Sequence, residues 1–115
     1  MNSEYNILVG SLILDMLEID DESINTILKE TKIEATFKNR LLIKYREYVI
    51  SEEEIINAIK CLIKNGYISI LDEKGNLILE TYNKSVISSK NNIFCRITKK
   101  GSEYYKSIYN VVWNE

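Results

Sequence analysis

Side chains able to do chemistry are few in kind in this chain. There is no histidine, so no ordinary group titrates near neutrality to serve as a general base. No Gly-rich phosphate loop is present, no Ser or Cys nucleophile has an evident partner, and the Asp and Glu pairs fall at helix starts or turns. The residue types therefore point away from an enzyme. Two cysteines, Cys61 and Cys95, are too far apart for a zinc knuckle and have no histidine to complete a mixed site, so both read as reduced core residues and neither a metal nor a cofactor is expected. What remains is anion binding by cationic side chains. Arg40 and Lys44 stand one helical turn apart if their segment is a helix, Lys84 and Lys90 lie in a polar stretch, and Lys99 and Lys100 begin the last apolar-periodic segment. Together they could make a discontinuous basic face; solvated surface charge is the competing reading.

Charge placement bounds where such a face can be. The 115 residues carry a net charge of -2 with a sequence pI near 5.3, so there is no overall basic footprint. Residues 1 to 30 hold one base against seven acids, and 52 to 80 are also net acidic, whereas 31 to 51 and 81 to 115 are net basic. An anion-binding face must draw on the two basic blocks. With 45% apolar residues the chain reads as one ordinary globular domain spanning 1–115. Its longest early apolar run, ILVGSLIL, is preceded by Glu4 and is too short for a signal peptide or membrane span, so a cytoplasmic protein without membrane contact is expected.

The elements that position these residues follow from periodicity and caps. Ile7, Leu8, Leu12, Leu14 and Leu17 predict a mostly buried helix over 4–18, and Ser23 or Asp21 offers an N-cap for a second helix, INTILKETKIE. Residues 34 to 49 mix a helical stripe with partial alternation; the longer stripe favours a helix, with a strand as the alternative. SEEE at 51–54 is a capping box, with Ile50 and Ile55 as its hydrophobic staple and Gly66 as the left-handed stop. Tyr67 to Leu71 predicts a strand, DEKGN a turn, LILETY and IFCRI two further strands of a hairpin region over 67–97. Thr98 can cap a last helix whose stripe is Tyr105, Ile108, Tyr109 and Val112, widened by Tyr104 and Trp113.

That order, a capped helix ending in Asn65-Gly66-Tyr67-Ile68, a hairpin, then Ile97-Thr98-Lys99-Lys100-Gly101 opening a helix, resembles the winged helix-turn-helix superfamily, in the manner of PadR and MarR regulators. The resemblance spans about residues 4 to 113 and is poorest over 34–49. It implies an α+β fold, mostly helical, with a small antiparallel β hairpin or sheet and a C-terminal helix. It also implies a DNA-binding transcription regulator of bacterial or phage origin, with double-stranded DNA as partner. The helix after Ser51 would be the one that enters the major groove, so Glu52, Glu53 and Asn57 would face a duplex, with Lys60 a further candidate on the same row; Lys60 and Lys64 in the last turns are also simply favoured there by the helix dipole.

Three adjacent glutamates near phosphates oppose that reading electrostatically, although acids in a first turn also simply complement the helix dipole. The alternative keeps the fold and changes the partner: an acidic winged helix that binds another protein, as a modulator or inhibitor from a mobile element. The aromatic face of the last helix, with Tyr105, Tyr109, Val112 and Trp113, can pack on the first helix or bury part of itself in a homodimer.

Overall fold

The computed structural model describes residues 3–34, 50–78 and 93–112. Among them, four helices and a three-stranded antiparallel sheet form an α+β arrangement around one apolar cluster. Helix α1, Ser3–Ile19, is the centre of it. Leu8, Val9, Leu12, Ile13, Leu14 and Leu17 are all buried, and apolar residues on most sides of a helix demand partners on most sides. They are supplied by the other three helices and one strand.

Two residues of strand β1, Glu22–Ser23, lead into helix α2, Ile24–Glu34. Ser23 is its cap: the hydroxyl accepts the Thr26 amide proton at 3.1 Å. Asp21, the other cap that the sequence offers, instead receives Arg96 from across the sheet. Ile24, Ile27 and Leu28 face the core as their spacing predicts, and Thr31 joins them fully buried with a hydroxyl that has no hydrogen-bond partner. Residues 35–49, where the sequence leaves helix and strand in competition, lie outside the described residues.

Helix α3, Glu52–Lys64, begins with the expected capping box: the Ser51 hydroxyl accepts the Glu54 amide at 3.1 Å and the Glu54 carboxylate accepts the Ser51 amide at 3.2 Å. Ile50 and Ile55 are both buried as a staple requires. At the other end Gly66 has φ 77°, its amide bonds the Ile63 carbonyl, and the Tyr67 amide bonds the Leu62 carbonyl, which is a Schellman closure. Because the Tyr67 amide closes the helix, strand β2 starts one residue later than the sequence predicts, at Ile68–Leu71.

The DEKGN turn forms around Asp72, whose carboxylate accepts the amides of Lys74 and Asn76, with Gly75 at φ 85°. Of the expected strand 77–82, the described part is a bridge between Leu71 and Leu77 and a bond from the Ile78 amide to the Ile70 carbonyl. Strand β3, Phe94–Ile97, pairs with β2 through Ile68 opposite Ile97 and Ile70 opposite Cys95. On its other side it pairs with β1, Glu22 opposite Cys95, giving the order β1-β3-β2. The sequence reading does not anticipate β1, since two polar residues carry no strand pattern.

Helix α4, Lys99–Val112, is capped by Thr98, whose hydroxyl accepts the Gly101 amide at 3.0 Å and donates to the Gly66 carbonyl at 2.6 Å. A Cβ on Gly101 would stand 1.9 Å from the Tyr67 carbonyl oxygen, so only glycine lets the helix start come this close. One expectation is corrected: Cys95 is a buried core residue, but Cys61 is exposed. It lies one step off the Ile55, Ile59, Leu62 stripe that faces the core, and at 100° per residue that step turns it outward.

Candidate nucleic-acid interface

The core stripe of α3 fixes which residues point away from it. Glu53 and Asn57 are exposed, Lys60 is half-buried and Lys64 exposed, so the outward row runs from acid to base along the helix. Glu54 closes the capping box, and Glu52 and Glu53 beside it are exposed.

The C-terminal end of α3 is fastened to the start of α4. The Thr98 amide bonds the Tyr67 carbonyl at 3.0 Å while its hydroxyl holds the Gly66 carbonyl. Tyr67 and Tyr104 stack with ring centroids 4.3 Å apart and planes within 5°. The Lys100 amine lies 5.5 Å from the Tyr67 ring centroid, close enough for a cation–π contact. Burial first, then its neighbours Tyr67 and Cys61, push the Tyr104 phenol above its ordinary pKa. In this way Lys60 and Lys64 of α3 and Lys99 and Lys100 of α4 come to one end of the module. Asn57 sits nearer the acidic end and borders an open cleft of about 380 Å³ between α1 and α3, walled by Ile7, Val9, Ala58 and Leu62, with Cys61 and Tyr104 beside it. Arg40, Lys44, Lys84 and Lys90 lie outside the described residues.

The aromatic face of α4 divides. Tyr105 is buried against α1, where its hydroxyl donates to Asp15, and burial together with that bond raises its pKa. Tyr109 meets Tyr105 edge to face at 5.8 Å and stays 42% exposed. Ser102 donates to Glu18 at 2.5 Å, so α4 runs back along α1. Val112 is the last residue of α4, and Trp113 lies outside the described residues.

Two features escape the sequence reading. Arg96 donates to Asp21 through Nε and Nη2, the latter at 2.8 Å, a forked contact that holds its pKa above the ordinary arginine value. The alternation in IFCRI does place Arg96 on the outer face, but nothing local points to Asp21. The second is the cleft, which needs α1, α3 and α4 in place. Among the described residues no group of His, Cys, Asp and Glu could hold a metal ion, and no helix is long and apolar enough to cross a membrane.

No family model and no curated protein matches the chain. Among solved structures it is similar to a transcriptional regulator from Clostridium thermocellum, with 25% sequence identity and a TM-score of 0.58, over 93% of this chain and 82% of that one.

Proposed function

We propose that this chain is a DNA-binding winged-helix transcription regulator of the PadR and MarR kind, of bacterial or phage origin, with no catalytic role. One observation carries the reading: α3 closes through Gly66 into β2 and β3 passes through the Thr98 cap into α4, in a chain that is similar over 93% of its length to a transcriptional regulator. The outward row of α3 offers Asn57, Lys60 and Lys64 to a groove, since none of them is needed by the core. Arg40, Lys44, Lys84, Lys90 and Lys99 are the further candidates for phosphates. Tyr109, Val112 and Trp113 are candidates for a homodimer contact, while Tyr105 is buried.

Fluorescence anisotropy of a labelled random-sequence duplex tests it. A footprint of about four phosphates loses roughly a hundredfold in affinity between about 50 and 200 mM salt. Salt-sensitive binding of that order supports the reading; folded protein that leaves the duplex unbound at low salt removes it.

A second reading draws on Glu52 and Glu53, both exposed in the first turn of α3. In it the same face binds a basic surface of another protein, and the duplex stays free at every salt concentration.

A further inference from the structure

We infer that the protein meets the duplex with one pole of the module, the C-terminal end of α3 and the first turn of α4, where Lys60, Lys64, Lys99 and Lys100 take up backbone phosphates. The inference rests on the DNA-binding reading and narrows it: the N-terminal half of α3, where a groove-reading helix ordinarily makes its contacts, is not the anchor.

The two ends of α3 are opposite in charge. Glu52 and Glu53 are exposed at the first turn, and phosphates brought there meet carboxylates. From 55 to 71 the sequence holds Lys60 and Lys64 and no acid. At 1.5 Å per residue Lys64 stands about 16 Å along the helix from Glu53, beyond one Debye length at 0.1 M salt, and Lys60 about 11 Å, so the glutamates weaken the lysine at the helix end less than the one a turn before it.

The fastening at Thr98 then adds charge to the basic pole. The Lys100 amine lies 3.9 Å from where a Cβ on Gly66 would be, and Lys99 beside it is exposed. Residues 81 to 102 also contain no acid. Among the described residues none of the four lysines is held in an ion pair, unlike Arg96, which is committed to Asp21. Two carboxylates stand near α4's first turn: Glu103, exposed one turn beyond Lys99, and Glu18, which is bonded to Ser102.

A helix C-terminus normally repels phosphate through its unbonded carbonyls. Here the carbonyls of Cys61, Leu62 and Ile63 accept bonds from Asn65, Tyr67 and Gly66, and that of Gly66 accepts Thr98. Those bonds reduce the carbonyl charge at this end, where Lys64, Lys99 and Lys100 are exposed.

The test compares three proteins on the same random-sequence duplex across a salt series: the wild type, a Lys64→Gln, Lys99→Gln, Lys100→Gln variant, and a Glu52→Gln, Glu53→Gln variant. Each lysine that neutralises a phosphate contributes close to one unit of the slope of log affinity against log salt. The triple variant is expected to bind at least about tenfold more weakly with a slope reduced by about three. The glutamate variant is expected to stay within about threefold of the wild type, because at about 11 to 16 Å its charges are largely screened from Lys60 and Lys64. Circular dichroism checks folding, and if the triple variant is perturbed the pair Lys64→Gln, Lys99→Gln must still lower the slope by about two. A wild type that binds, with the lysine variant unchanged and the glutamate variant much tighter, would place the anchor at the other end of α3 and overturn the inference while DNA binding stands. A wild type that does not bind removes both.

Discussion

Cys61 and Cys95 have the same chemistry in opposite settings. Cys95 is enclosed in β3, where burial first and the charge of Asp21 second push its thiol up to about 12. Cys61 is exposed on α3, with the Asn65 amide 3.7 Å from its sulfur. An aromatic disulfide reagent should therefore titrate one thiol in the native protein and the second only on unfolding, and Cys61→Ser should remove the fast one. Two fast thiols would mean that β3 opens readily. At this scale residue type misleads and position informs. Cysteine is usually buried, yet Cys61 falls off the Ile55, Ile59, Leu62 stripe; threonine is usually exposed, yet Thr31 follows Ile27 and Leu28 at helical spacing and is buried with them.

Between elements, Gly101 is the tightest contact described. A Cβ there would stand 1.9 Å from a backbone oxygen, which no side-chain rotation relieves, so Gly101→Ala must push α4 away from Tyr67 and strain the Thr98 bonds. We expect a loss of about 3 kcal/mol in urea unfolding, the range of severe overpacking. Gly75→Ala makes the comparison: at φ 85° with nothing within 4 Å, it should cost only about 1 kcal/mol of backbone strain. Equal losses would show that the fastening between α3 and α4 is slack. The contrast also explains what was legible. Both caps, Ser51 to Glu54 and Thr98 to Gly101, close within a turn, so the sequence alone displays them. The Gly66 carbonyl that receives Thr98, and the pairing of Glu22 and Ser23 with β3, join distant residues of no distinctive type, and local pattern cannot announce them.

For the molecule as a whole, the acidic excess of residues 1 to 30 gathers partly where α1 passes into α2. Burial first, then Asp20, Glu30 and Asp21, raise the pKa of Glu22, and Arg96 answers only Asp21. The folded state thus holds the Glu22 proton more tightly than the unfolded chain does. Charged Glu22 opposes folding at neutral pH, and the opposition fades as pH falls through its raised pKa. Glu22→Gln is expected to raise Tm by roughly 1–3 °C at pH 7 and to give no gain near pH 4, as thermal melts at the two pH values would read. A gain that persists in acid would assign the effect to packing. The sequence shows the run Asp20-Asp21-Glu22 but not the partial compensation there, which exists only once β3 has brought Arg96 to Asp21.

The strand order has a consequence for the time course of biosynthesis. β3 lies in the middle of the sheet and is the last strand to leave the ribosome, while β1 and β2, its two neighbours, do not pair with each other. A nascent chain halted before residue 93 holds the two flanking strands apart with no partner between them. Assembly of the sheet, and with it the docking of α4, is thereby deferred until β3 has been made, a late closure typical of folds whose contacts join distant parts of the chain.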